Sequence, residues 1–233
     1  MTGIFGIIAT PMGALLSFLY GIIGDYGVAI IVFTFIVKMA LYPLYIKQTK
    51  SMAGMSGVQP KMKALQQKYA NDKETLRVEM AKLQKEEGFN PAAGCLPMLI
   101  QMPIIMGLFV LLRNPLVFMK NEAMIFAVHN TFLWIPDLSQ PDQWILPIIA
   151  GIATYFSFAF GQQQQAPDMG NNSMAGMTKM MKYIFPIMIV WMGRSFPAGL
   201  ALYWAMSQIM QIFFNLHLKS IRKKIMEESS KKK

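Results

Sequence analysis

The chain has a single cysteine, Cys95, so no internal disulfide can form, and with two histidines no His/Cys metal cluster is expected. Acidic residues are scarce, 12 against 22 lysines and arginines. They are missing altogether from the strongly apolar stretches Gly27 to Ile46, Ala92 to Leu112, Trp144 to Phe160, Tyr183 to Met192 and Leu200 to Phe214. That absence argues against a carboxylate proton relay within a membrane. A Walker A loop, a dinucleotide fingerprint, an HExxH zinc site and a GxSxG elbow are absent too. One Ser-x-x-Lys spacing, Ser220 and Lys223, falls in a basic tail and is read as chance. We therefore assign no catalytic residue, no metal and no cofactor, and expect any energy input to come from a partner or from the membrane potential.

What is present in quantity is apolar surface. With 54% hydrophobic residues, 16 Phe, 22 Met and a mean hydropathy of +0.37, the chain is too apolar for an ordinary soluble domain. Gly27 to Ile46 carries one charge, Lys38, and at 1.5 Å per residue a helix of this length spans the roughly 30 Å hydrocarbon core. Lys38 then falls near the bilayer midplane, where a lysine costs roughly 2.5 to 3.5 kcal/mol on insertion scales. Lys47 lies roughly 14 Å further along the axis, too far for snorkelling alone to carry the charge out. The expectation is a water-containing cavity open to one side of the membrane, with Lys38 facing it.

Charge location sets the topology. Nine basic residues lie between Lys47 and Lys85, and seven follow Phe214. The stretch from Asn114 to Gln143 holds only Lys120, against Glu122, Asp137 and Asp142. By the positive-inside rule the basic segments are cytosolic and that loop external. An all-α integral membrane protein with five spans, N-terminus out and C-terminus in, satisfies these assignments. Residues 1–24 form an external interfacial helix, with a retained signal anchor as the alternative. The spans are 25–46, 92–113, 144–161, 182–195 and 196–217. A cytosolic helical hairpin occupies 47–91, an external loop 114–143, a cytosolic loop 162–181 and a basic cytosolic tail 218–233.

Within the hairpin, Pro60 suits the first turn of a helix carrying Met62, Leu65 and Tyr69 on one side. Asn71-Asp72 makes the break and cap before a second helix with Leu76, Met80 and Leu83, which Gly88 and Asn90-Pro91 stop. So basic a hairpin suits anionic lipid or an RNA-bearing partner such as the ribosome, although a solvated spacer has the same pattern. Pro43 predicts a kink near the end of the first span. Gln101, between Pro97 and Pro103, serves as interhelical glue or lines the cavity. Thr154, Tyr155 and Ser157 are the polar positions of the third span, and Trp134 and Trp144 mark the outer interface. His129 receives no role. The loop after Phe160 is rich in Gln, Gly, Asn and Met and reads as flexible, its methionines forming either an adaptable apolar surface or membrane-interface filler. The fourth span is too short to cross unaided, which favours local thinning of the bilayer.

Four stretches, GDYGVAIIVFTFIVKMALYPLYIKQTKSM, VQPKMKALQQKY, NPAAGCLPMLIQMPIIMGLF and FPAGLALYWAMSQIMQ, together resemble the YidC/Oxa/Alb family of membrane protein insertases over nearly the whole chain. The resemblance implies five spans around a hydrophilic groove that opens to the cytosol and to lipid. A basic residue of the first span sits in that groove and attracts the tail of a nascent membrane protein. Lys38 matches that position, where arginine is commoner in the family, so the charge is kept and the bidentate fork lost. Thr34 matches a substrate-facing position, and Tyr203 and Trp204 match an aromatic pair near the substrate path, although from the residues alone Thr34 could bond its own helix and the two aromatics could be packing. Gln101, Thr154 and Ser157 complete the groove expected from the residues. The hairpin, through Lys61, Lys63, Lys68 and Arg77, and the tail, through Arg222, Lys223 and Lys224, are expected to meet the ribosome, a targeting receptor or anionic lipids. Work alone or beside the Sec translocon, with a chaperone activity, is implied in the same way. A small transporter or anion channel using Lys38 as its binding charge is the rival reading, against which stands the lack of an internal repeat.

Overall fold

The computed structural model describes residues 2–54, 58–87, 96–118, 126–165 and 180–231. The expected stop at Gly88 and Asn90-Pro91, Cys95, and most of the Gln/Met-rich loop lie outside these residues. Nine α-helices form among them: α1 (Thr2–Ile23), α2 (Tyr26–Gly54), α3 (Gln59–Lys68), α4 (Lys73–Glu87), α5 (Leu96–Arg113), α6 (Pro115–Phe118), α7 (Ile145–Gln165), α8 (Phe185–Gly193) and α9 (Ala198–Lys231). A π-helical turn, Met180–Ile184, leads into α8.

By length and composition α1 and α2 are each apolar enough to cross a membrane, while α5, α7 and α8 carry shorter apolar runs. Ile148, Ile152, Phe156, Ile187 and Trp191 are exposed on α7 and α8. So much contiguous outward-facing apolar surface is what a lipid-facing wall requires and what a soluble monomer avoids. α2 continues as helix through Pro43 as far as Gly54, beyond the polar boundary expected at Lys47, and Gln48 and Thr49 on that extension are buried.

The core lies where α2, α5, α7 and α9 meet, around Phe33, Leu108, Leu146 and Tyr203, with α1 packed across α5 and α2. Small residues allow the close crossings. A side chain at Gly151 would strike Val190 of α8, and one at Gly199 would press on Ile30 of α2 at 3.2 Å. Residues 126–144, within and just after the external loop expected over 114–143, pack on the bundle end while Phe126, Leu133, Trp134 and Trp144 stay exposed. Phe132 and Ile135 exchange two backbone hydrogen bonds of 2.8 Å, and Val128, Phe132 and Leu138 join the core. The amides of Ala198 and Gly199 donate to the carbonyls of Gln140 and Leu138 at 2.8 and 2.9 Å, so this loop satisfies the first donors of α9.

α3 and α4 pair around a second small core of Val58, Met62 and Leu83, with Leu65 and Met80 against it. Asp72 caps α4 by accepting from the Thr75 amide at 3.0 Å and the Thr75 hydroxyl at 2.6 Å.

Candidate functional site

α9 presents polar side chains every fourth residue, Tyr203, Ser207, Gln211 and Asn215, which puts them on one face. α2 does likewise with Thr34 and Lys38. A helix apolar elsewhere turns such a stripe away from lipid and toward other stripes. Here the two stripes face each other, and α5 contributes Gln101 between them.

Lys38 is 2% exposed, about 18 Å along α2 from Tyr26. Its ammonium donates to Gln211 Oε1 at 3.2 Å and, more weakly, to Gln101 Oε1 at 3.4 Å, and it stands 5.6 Å from the centre of the Tyr45 ring. Each amide is itself held: Gln101 Nε2 donates to Tyr203 Oη at 3.1 Å, and Gln211 Nε2 to Asn215 Oδ1 at 3.1 Å. Asn215 Nδ2 then donates to the Ser157 carbonyl of α7 at 2.9 Å. A chain of neutral groups thus links four helices around one cation. Among the described residues no ion pair involves Lys38.

The other expected residues divide. Ser157 takes part through its backbone. Thr34 is buried one turn from Lys38 and donates to the Ile30 carbonyl of its own helix at 2.7 Å. Trp204, adjacent to Tyr203, points to a different side and donates from Nε1 to Thr154 Oγ1 at 2.9 Å, with its ring 6.2 Å from Phe185 of α8. Tyr203 and Trp204 therefore serve two separate places. Sequence reasoning missed Gln211 and Asn215; the fourth-residue spacing from Tyr203 was the signal for both.

The basic residues lie where solvent reaches them. Lys63, Arg77 and Lys224 are exposed, Lys61 pairs with Glu87, Lys68 lies over the Tyr69 ring, and Lys223 is 3.8 Å from Glu227. Arg222 is half-buried. The Glu87 carboxylate holds the Lys61 ammonium above the usual lysine range. At the opposite end, Asp142 accepts from the Leu146 amide, the Trp144 amide and Trp134 Nε1, capping α7 and tying down the loop. Among the described residues no group of three or more His, Cys, Asp or Glu side chains is placed to hold a metal ion.

The class this fold and site define is an all-α membrane protein with a cation enclosed by neutral polar side chains inside a helix bundle. Residues 18–226 match the family described as 60Kd inner membrane protein, and the chain belongs to that family. It is 36% identical over 211 residues to the membrane protein insertase YidC of Lawsonia intracellularis, covering 90% of this chain and 38% of that protein. With the YidC of Fusobacterium nucleatum it shares 35% over 213 residues, 91% of this chain and 95% of that one. With YidC 2 of Listeria innocua it shares 42% over 201 residues, 83% and 63% of the two. A solved structure described as an active YidC insertase with its first transmembrane domain resolved superposes with a TM-score of 0.60 at 31% identity, over 91% of this chain and 45% of that one. The chain thus spans well under half of the Lawsonia relative and nearly all of the Fusobacterium one.

Proposed function

We propose that this protein is a membrane protein insertase and chaperone, placing nascent membrane proteins into the lipid bilayer. The observation that carries this reading is the state of Lys38, a buried ammonium whose acceptors are two amide oxygens. A carboxylate brings a full opposite charge to an ammonium, which a neutral amide oxygen does not. The acidic tail of an incoming chain therefore displaces Gln101 and Gln211 from Lys38 and gains a partner that the tail would otherwise lack in the membrane. Water and polar tail enter together through a groove open to the cytosol, and the apolar segment behind the tail moves into lipid, where its burial supplies the driving force. The chain acts alone or beside the Sec translocon, with its N-terminus outside and its C-terminus inside. Ribosome, targeting receptor or anionic lipid docks on the basic faces of α3, α4 and the end of α9.

Photocrosslinking from positions 34, 203 and 204 to a stalled nascent membrane protein tests the reading. Adducts are expected from all three, weakened by Lys38→Glu. Ribosome-bound protein that gives none, together with anion flux through vesicles holding no polypeptide substrate, would move Lys38 to a transport role.

A further inference from the structure

We propose that the slot between α7 and α8 binds one anionic phospholipid, its acyl chain along the slot and its phosphate on Lys182. The slot has a volume of about 560 Å³ and is lined along its length by Ile148, Gly151, Ile152, Pro186, Ile187 and Val190. Gly151 brings α7 close under α8, and Ile148, Ile152 and Ile187 stand exposed at the slot's rim. A slot so apolar on a lipid-facing wall has no use for water, and a hydrocarbon chain fills it without leaving a polar group unsatisfied.

One end of the slot is different. Tyr155 and Tyr183, with rings 6.0 Å apart, close it, and the Lys182 ammonium stands 5.8 Å from the first ring and 5.1 Å from the second. Beside those two aromatic faces Lys182 makes no side-chain hydrogen bond or ion pair among the described residues. The rings attract a cation but do not neutralise it. Tyr155 is about 15 Å along α7 from Ile145, near the middle of that 21-residue helix. The charge beside it therefore sits well inside the end of α7. A cation at that depth requires a counter-charge, and the phosphate of the nearest phospholipid, drawn inward beside the slot, supplies one. An anionic head group is preferred over a zwitterionic one because no second cation accompanies its phosphate. The Lys182 site is separate from the basic hairpin, and the π-wound turn that carries it is a geometry frequent at functional sites. The proposal rests on membrane placement and not on insertion activity, so either can fail alone.

The test uses the full chain in vesicles of equal parts phosphatidylglycerol and phosphatidylcholine, with a photoactivatable group on the acyl chain of one lipid at a time and adducts mapped by mass spectrometry. Adducts on the peptides holding Ile152 and Ile187 are expected to favour phosphatidylglycerol by about fivefold, the ratio that one basic residue near an anionic surface gives. Lys182→Gln should abolish the preference, and Lys182→Arg should keep it, which separates loss of charge from loss of fold. Equal labelling by the two lipids in the unaltered protein would overturn the head-group assignment. Protein-to-protein crosslinks across the slot in place of lipid adducts would overturn the lipid itself and make the slot a docking face for another helix.

Discussion

Replacing Lys38 with methionine separates what the charge does for insertion from what it does for folding. Removing a lysine near the membrane centre recovers about 3 kcal/mol of insertion cost. Against this, two amide oxygens lose their partner, because Gln101 and Gln211 accept from Lys38 while their NH2 groups stay bonded to Tyr203 and Asn215. Each orphaned acceptor costs about 1 kcal/mol at the lower end of the range, or about 2 kcal/mol for the pair. The Lys38→Met protein should therefore be as stable as the parent or about 1 kcal/mol more so. Capture of an acidic tail should fall sharply. A charge pair at 4 Å is worth between about 1 kcal/mol in water and about 4 kcal/mol at an effective dielectric constant of 20, so the loss is fivefold or more. Thermal unfolding in detergent and a protease-protection assay with acidic-tailed and neutral-tailed substrates, run on one preparation, give both quantities. A melting temperature that falls together with insertion of both substrates would refute the reasoning and make Lys38 a structural residue.

Lys38→Arg should keep insertion, because a guanidinium offers separate donors to the two amide oxygens; loss of activity would show that ammonium shape, and not charge, is what the site needs. Gln211→Leu takes an acceptor from Lys38 and the donor from Asn215, and should destabilise the bundle by about 2 kcal/mol in the same unfolding assay; an unchanged melting temperature would place Gln211 outside the network. Burial alone would raise the Asp142 carboxyl, but bonds from Trp134, Leu146 and Trp144 outweigh it and hold the group below the ordinary aspartate value of 3.8. Its contribution is therefore complete above about that value and is lost as pH falls through the lower folded one. Trp134 fluorescence in an otherwise Trp-free variant should stay constant from neutral pH to about 4 and change only below, while Asp142→Asn should show the altered signal at neutral pH. Asp72→Ala removes the cap of α4, so amide exchange should quicken through residues 73–76 and not in α5; uniform protection would mean that packing alone holds the helix.

Features encoded locally were legible in the sequence. The apolar length of the first span, the Pro60 start of α3 and the Asp72 break are each written within a few consecutive residues, and the structure has them. Features that depend on distant partners were not. Gln211 is 173 residues from Lys38, and among its apolar neighbours it reads like any tolerated polar residue until α2 and α9 are brought together. The helix that begins the first span runs on past the polar boundary expected at Lys47 to Gly54, with Gln48 and Thr49 buried on its extension. The run before Ile135 has the composition of an interface segment. Val128, Phe132 and Ile135 turn into the core while Phe126, Leu133 and Trp134 stay exposed, and just after the run the carbonyls of Leu138 and Gln140 meet the amides that begin α9; no periodicity announces such a match.

The choice of partners for Lys38 bears on what the charge can do. An aspartate at the position of Gln101 or Gln211 would hold the ammonium more tightly, but the pair would be neutral and its field would fade within a few ångströms. Amide oxygens solvate the ammonium and leave its unit charge intact, which under the proposed function leaves a buried site able to attract an acidic chain. The same amides are tethered by Tyr203 and Asn215, which keeps the cost of holding the charge bearable without any carboxylate inside the apolar stretches. Under the proposed function, scarcity of acid in the sequence and the neutral network in the structure are two views of one requirement: the cation is held well enough to fold and loosely enough to be claimed by a stronger acceptor.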